Sequence, residues 1–309
     1  MEYLFGVDIG GTTVKIGLVS MDGQILDKFE IPTNKEDEGE KILPDVRDAI
    51  YAYLAKHNIE HSAIKGIGFG VPGPVSANKV FKCVNLGWGI KDVSEEFAAL
   101  LDFKPIIRCG NDANVAALGE MATCKKYQNA VMFTLGTGVG GGIIYNGKPI
   151  DGVHGAGGEL GHLRLAANHN YQCNCGLRGC LETVASATGV VRLAKEYLPH
   201  YPQSLLNGQS DLSCKNVFDA AKQEDELALK VVDEVAYYIG LAASIVASVV
   251  DPEVFIIGGG VSKAGSILTS RIEAYYTKFA FHAVRKTNFI LASLGNDGGM
   301  LGAALLTRD

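Results

Sequence analysis

The apolar positions of this chain fall in short runs separated by glycine-rich breaks. Tyr3 to Val7 is apolar almost throughout and predicts a buried strand. Gly10-Gly11-Thr12-Thr13 interrupts it, and Val14 to Ser20 predicts a second strand. Asp22-Gly23 is a hairpin signal, so Gln24 to Ile31 predicts a third strand that returns beside the second. The period then changes: Ile42, Val46, Ile50 and Leu54 share one helical face. Ile64 to Phe69 predicts a strand ending at Gly70-Val71-Pro72-Gly73-Pro74, and Val93 to Leu101 a helix. Pro105 to Cys109 predicts a strand that runs into Gly110-Asn111-Asp112.

From Ala130 the order starts again, with strand Ala130 to Leu135, glycine turn Gly136 to Gly142, strand Gly142 to Tyr145 and turn Asn146-Gly147. Strand, glycine turn, strand and X-Gly turn thus occur twice, about 125 residues apart, a weak internal repeat that suggests two halves of related architecture. Asp225 to Val250 carries an apolar stripe at Leu227, Val231, Val235, Ile239 and Ala242 and then becomes apolar all round. That last stretch suits a buried helix and is too short to span a bilayer. Val254 to Ile257 predicts a strand before Gly258-Gly259-Gly260. Phe289 to Leu294 predicts the last strand, before Gly295-Asn296-Asp297-Gly298-Gly299 and a short helix. Alternating strands and helices make an α/β fold. The expected division is a small domain of residues 1–120 plus about 295–309, and a large one of 121–294, with a hinge near Glu120 to Asn129.

Composition narrows the class. A chain of 309 residues suggests roughly two domains, and 47% hydrophobic residues exclude disorder. A net charge of −6 argues against a broad nucleic-acid surface. Seven cysteines in a long chain make a disulfide scaffold improbable, and the start lacks the basic region of a signal peptide. The expectation is a cytoplasmic protein without a membrane partner. Glycine is the outlier, 38 residues against a usual share of ~7%.

Four glycine turns each follow an apolar strand, at Gly10, Gly136, Gly258 and Gly295. Bare amides at strand ends suit a phosphate, and Thr12, Thr13 and Thr137 add hydroxyl donors. Gly136, Gly138 and Gly141 satisfy G-x-G-x-x-G, but an apolar strand follows where the dinucleotide fingerprint needs a helix. The Walker-type P-loop pattern is absent. Asp8, at the end of strand one, could hold Mg²⁺ directly or through water; the plainer reading is a turn cap. Asp112, at the carboxyl end of a strand, could take a hydroxyl proton while the oxygen attacks a γ-phosphate; the plainer reading of Asn111-Asp112 is a helix cap. Glu159, His162 and Glu182 are groups that read adjacent hydroxyls. Cys173, Cys175 and Cys180, with His162 upstream, make a closed tetrahedral Zn²⁺ set of structural role. His169 and His154 compete with His162 for the fourth position.

These motifs resemble those of the ROK family of repressors, open reading frames and sugar kinases. Asp8-Ile9-Gly10-Gly11-Thr12 is similar to its first phosphate motif, and Leu135 to Gly142 to its second. Glu159-Leu160-Gly161-His162 and Cys173 to Glu182 match its ExGH and CxCGxxGCxE motifs. The resemblance implies a two-domain hexokinase/actin-like (ribonuclease H-like) fold with an interdomain cleft, and ATP-dependent phosphorylation of a hexose, glucose foremost. N-acetylmannosamine, N-acetylglucosamine, fructose or allose are alternative substrates, and a non-catalytic sugar-sensing regulator is the alternative class. It implies Asp112 as general base, with Asn111, Glu159, His162, Glu182 and Gly73 on the sugar and His162 also on zinc. Asp8, Gly10, Gly11, Thr12, Thr13, Lys15, Gly136, Thr137 and Gly138 would serve the phosphates and Mg²⁺, and Gly258, Gly259 and Gly260 would lie near the adenosine. A homodimer or homotetramer is implied. The first motif opens at Asp8, leaving no room ahead of it for the repressors' helix-turn-helix domain, so no nucleic-acid partner is expected.

Overall fold

The computed structural model describes residues 1–124 and 126–308 of an α/β chain. In chain order the first elements are β1 (Tyr3–Ile9), β2 (Thr13–Ser20), β3 (Ile25–Pro32), α1 (Ile42–His57), β4 (Ile64–Val71), β5 (Val75–Ser76), β6 (Lys79–Val80) and β7 (Lys91–Asp92). Then come α2 (Val93–Ala99), β8 (Ile106–Asn111), α3 (Asp112–Thr123), β9 (Ala130–Leu135), β10 (Val139–Tyr145) and β11 (Lys148–Pro149). The remainder is α4 (Glu182–Ala185), α5 (Ala187–Tyr197), α6 (Cys214–Ala221), α7 (Glu226–Val250), β12 (Val254–Gly258), α8 (Ser266–Phe279), β13 (Asn288–Leu291) and α9 (Gly298–Leu305). The chain divides into two compact units, one of Met1–Gln128, Gly142–Gly158 and Ser293–Asp309, the other of Asn129–Gly141 and Glu159–Ala292. The hinge expected over 120–129 includes Lys125 and the expected C-terminal segment reaches Asp309; both residues lie outside the described ones.

The first unit is built on a sheet of order β3-β2-β1-β4-β8. Its first three strands are antiparallel, and β4 and β8 run parallel to β1. The apolar stripe of α1, with Ile42, Val46, Ile50 and Leu54 all buried, belongs to the same core as Phe69 and Phe97, whose rings meet edge to face at 4.8 Å. The glycine-rich helix α9 lies flush on β1 and β4. A Cβ at Gly6 would come 1.9 Å from the Met300 carbonyl oxygen, and one at Gly68 1.7 Å from that of Ala303. Backbone against backbone is the packing that the glycine excess permits.

In the second unit β9, β12 and β13 are parallel, with Phe133 opposite Ile257 and Val254 opposite Asn288. Helix α7 is its core, and 67% of its most apolar stretch is buried. Burial of that kind matches the sequence reading of a core helix. Strand β10 begins in this unit and runs on into the first, where Ile144 pairs with Pro149 of β11. The two sheets therefore repeat one strand order, and the repeat seen in the sequence is a repeat of topology.

Among the boundaries that differ from expectation, three shape the candidate site and its surroundings. The strand predicted over Pro105 to Cys109 is Ile106–Asn111, so Asp112 opens α3 rather than a turn. The second glycine turn is shorter, because Gly140 to Gly142 extend as strand; a Cβ at Gly142 would strike the Ala113 carbonyl oxygen of α3 at 2.8 Å. The last strand stops at Leu291, because the amides of Ser293 and Leu294 turn to the Glu120 carboxylate at 2.7 and 2.8 Å.

Candidate functional site

In the first unit the candidate residues gather at the carboxyl ends of β1, β4 and β8. The register sets Asp8 opposite Gly70, and Gly70 opposite Gly110. Asp8 also faces Lys15 across the first hairpin. Burial pushes the Asp8 carboxyl above the ordinary carboxylate value, and Lys15 draws it partly back. The same carboxylate lies against the start of α9, where a Cβ at Gly299 would meet its Oδ2 at 2.9 Å. A partly buried carboxylate of this kind fits a hard divalent cation, which would restore the charge that burial disfavours.

The first glycine turn is closed by the Gly10 amide donating to the Thr13 carbonyl at 3.0 Å. Gly11 faces open space, and Thr12 is exposed. Thr33, which the sequence reading missed, braces the turn from β3's end. Its hydroxyl donates to the Gly10 carbonyl at 2.7 Å and its amide to the Thr12 carbonyl at 2.9 Å.

Asn111 serves two structural purposes. Its Oδ1 accepts from the amides of Ala113 and Asn114, capping α3, and its Nδ2 donates to the Gly73 carbonyl at 3.0 Å. The plainer capping reading is thus part of the arrangement, and it aims Asp112 from the first position of the helix. The fourth glycine turn differs from the others, since Asp297 within it pairs with Lys28 at 2.7 Å.

In the second unit the Gly136 amide donates to the Gly138 carbonyl at 2.9 Å. The N-terminus of α5 pins this turn. The Ala187 amide donates to the Gly136 carbonyl at 2.8 Å, and the Thr188 hydroxyl to that of Thr137 at 3.1 Å. Gly138 is where Glu182 lies close. The Glu182 carboxylate accepts from the Val139 amide at 3.1 Å and from Cys173 Sγ at 3.5 Å, tying the cysteine loop to the turn.

Beside the turn is a cavity of about 480 Å³. It is lined by Gly136 and Thr137, by Gly260 and Val261 after β12, and by Phe218 and Asp219 of α6. The α6 wall carries no glycine motif, and sequence reading missed it; the amphipathic run from Cys214 was the available signal. Gly259, at φ +82°, lets the chain pass Leu135, whose carbonyl oxygen a Cβ would meet at 2.4 Å.

His162, Cys173, Cys175 and Cys180 offer four ligand atoms within 4.8 Å of one another. The Cys175 and Cys180 sulfurs are 3.7 Å apart, and Cys173 Sγ lies 3.6 Å from His162 Nδ1. Tetrahedral Zn²⁺, with Zn–S ~2.3 Å and Zn–N ~2.0 Å, requires separations of about 3.8 and 3.5 Å. The site fits that ion. The other imidazole nitrogen, Nε2, faces Glu159 Oε2 at 3.8 Å. Gly161 makes this placement possible, since a Cβ there would come 2.0 Å from the Val139 carbonyl oxygen. His169 is engaged elsewhere, by Glu234 of α7 at 2.5 Å, and His154 is exposed in the first unit.

Two units with matching sheets, turns that present bare amides and a Cys₃His cluster define a hexokinase-like α/β protein of the sugar-kinase type. The chain belongs to the ROK family, whose model matches residues 4–309. It is 43% identical to a glucokinase of Halalkalibacterium halodurans, over 99% of this chain and 95% of that one. A ROK family glucokinase from Streptomyces griseus, in complex with glucose and AMPPNP, matches 99% of both chains at a TM-score of 0.75 and 32% identity. A ROK hexokinase from Thermus thermophilus superposes with a TM-score of 0.81 at 27% identity, over 98% of this chain and 97% of that one.

Proposed function

We propose that this chain is an ATP-dependent hexokinase that phosphorylates the 6-hydroxyl of glucose. The observation that carries the reading is the shared placement of Asp8 and Asp112 about Gly70, at the carboxyl ends of β1 and β8, the two strands that flank β4. The glucokinase relative and the neighbour holding glucose and AMPPNP support it. In this reading the Asp112 carboxylate accepts the 6-hydroxyl proton while O6 bonds to the γ-phosphorus. The bond from phosphorus to the β–γ bridging oxygen breaks, and ADP leaves with that electron pair. A positioned base of this kind contributes ~10²–10⁴-fold.

Glu159, His162 and Glu182 read the sugar hydroxyls, together with Asn111 and Gly73. The amides of Gly10, Gly11, Gly136 and Gly138, with Thr12, Thr13, Thr137 and Lys15, hold the phosphates. The cavity between the second turn, Gly258 to Gly260 and α6 takes the nucleoside; its volume suits one. Mg²⁺, held by Asp8, would supply charge neutralisation on the phosphates. Zn²⁺, held by His162, Cys173, Cys175 and Cys180, would lock the loop that carries Glu182. The reading includes a cytoplasmic homodimer or homotetramer, with no nucleic-acid or membrane partner.

The test is ADP release across a panel of hexoses and amino sugars. Glucose is expected to give the highest kcat/KM. No ADP release with any sugar defeats the proposal, and a higher value for an N-acetylhexosamine reassigns the substrate.

A further inference from the structure

Asp37 and Glu38 both adopt the left-handed backbone region, at φ/ψ of 50°/51° and 56°/29°, and Gly39 follows at φ +72°. Residues with side chains enter that region at a cost, and two in succession persist only where their surroundings over-determine them. The surroundings here are one loop, residues 81–90. The Trp88 indole Nε1–H donates to the Gly39 carbonyl at 3.0 Å. A Cβ at Gly39 would stand 2.4 Å from the Leu86 carbonyl oxygen, and one at Gly87 3.0 Å from the Glu38 Cα. The left-handed turn and the loop therefore interlock without room for a methyl group on either side.

The loop is itself closed by a reciprocal pair. The Cys83 amide donates to the Trp88 carbonyl at 2.9 Å, and the Trp88 amide to that of Cys83 at 3.0 Å. Cys83, Leu86 and Trp88 point inward and are buried, while Val84 and Ile90 are exposed. Three side chains anchor the loop, and Trp88 is the largest of them.

The far side of the loop reaches the candidate sugar residues. Gly73, at φ +101°, is seated against it, and a Cβ there would lie 2.6 Å from the Lys82 carbonyl oxygen and 3.7 Å from the Cys83 Cα. The Gly73 carbonyl in turn accepts from Asn111 Nδ2, and Asn111 caps the helix that begins at Asp112. Burial pushes the Cys83 thiol up against the opposing backbone hydrogen bonds of Leu86 and Asn85, and the charge of Asp112 adds a smaller push in the same direction. A continuous chain of contacts thus runs from the strained turn through Trp88 and the loop to Gly73, Asn111 and Asp112.

We propose that Trp88 and Gly39 are positioning residues for the sugar half of the site, with the interlocked turn and loop setting where Gly73 and Asn111 stand. The inference rests on the kinase reading above. Because Trp88 is the chain's one tryptophan, it makes the loop observable without turnover.

The test uses the full chain. Trp88→Phe keeps a buried aromatic ring and deletes the Nε1–H donor; Gly39→Ala presses on the same contact from the other side. Each is expected to raise KM for glucose roughly five- to tenfold while KM for MgATP changes less than about twofold. In the unmodified protein, glucose without nucleotide is expected to shift the Trp88 emission saturably, and MgATP alone to leave it unchanged. The proposal stands only if the selective KM change and the emission change both appear. An unchanged KM for glucose overturns it, as does an equal rise in both KM values, which is what a merely structural role would give. Emission unresponsive to glucose overturns it as well. Thermal unfolding checks that each variant folds; should Trp88→Phe not fold, Gly39→Ala and the emission titration decide. Absence of ADP release from the unmodified protein with every sugar defeats the kinase reading instead, and that result is separate from the emission measurement.

Discussion

Asp8 and Asp112 flank one glycine. A side-chain carbon at Gly70 would lie 3.9 Å from Asp8 Oδ1 and 3.9 Å from the Asp112 Cα. One carboxylate comes from the end of β1 and the other from the first turn of α3, yet β4 brings them to a common edge. Asp112 already accepts from the Ala113 amide through Oδ1 at 2.8 Å, a bond that an amide oxygen can also accept. Asp112→Asn should therefore keep the helix start and the sugar affinity while kcat falls at least ~10²-fold. Steady-state kinetics beside calorimetric glucose binding measure the two separately; near-normal turnover would remove Asp112 from the role of base.

Asp8 is predicted to trade stability for function. Burial raises its pKa, so the folded protein holds the proton more tightly than the unfolded chain. Stability then falls as pH rises from the ordinary carboxylate value of ~3.9 through the raised folded value, and the penalty is fully present above that raised value. Asp8→Asn is expected to raise Tm by a few degrees at pH 7, and the gain should vanish at pH values below the ordinary one. Turnover with MgATP should fall ~10²-fold or more in the same variant. A Tm difference that is independent of pH would contradict the assignment.

Removing a thiolate from the Cys₃His set should release the metal. Cys175 is the exposed member, so Cys175→Ser disturbs the core least. Zinc content by elemental analysis should drop, Tm should fall, and KM for glucose should rise, since metal binding energy here is folding energy of the loop. Unmodified protein without zinc would sink this prediction.

Gly138→Ala places a methyl group 2.2 Å from Glu182 Oε2. The carboxylate must leave the Val139 amide and Cys173, which loosens the second turn and the cysteine loop together. A loss of ~10-fold or more in kcat/KM is expected, with the global fold retained by circular dichroism. Wild-type kinetics would show that the contact is dispensable.

Glu120 is 2% exposed and receives the amides of Ser293 and Leu294. Glu120→Ala leaves those donors without their acceptor and should cost about 3 kcal/mol. Denaturant unfolding should show a lower midpoint at an unchanged slope. A midpoint within error of the unmodified protein would mean that water or rearrangement replaces the carboxylate.

Much of the site was legible where chemistry is local. Cys173, Cys175 and Cys180 lie within eight consecutive residues, so their spacing alone brings the sulfurs together. The Gly10 and Gly136 turns were legible because strands and bare amides alternate at short range. Thr33, Thr188 and the α6 wall were not, because each reaches its turn from a distant part of the chain through contacts that leave no periodic trace. The sequence around Asn111 suits either a helix cap or a ligand. The structure shows it capping and also tethering Gly73, a partner that lies 38 positions away.

The order of residues by itself determined the alternation of strands and helices, the doubled turn pattern and the cysteine cluster, because φ/ψ preference and side-chain period act over a few residues. Tertiary structure alone decided which glycines face which backbone, as Gly68 does the Ala303 carbonyl oxygen. It also decided that Trp88 closes on Gly39 and that Glu120 receives a loop more than a hundred and seventy positions away. Such pairings depend on how buried surfaces fit and on where each unpaired amide finds an acceptor, and both are settled only when the sheets and helices pack.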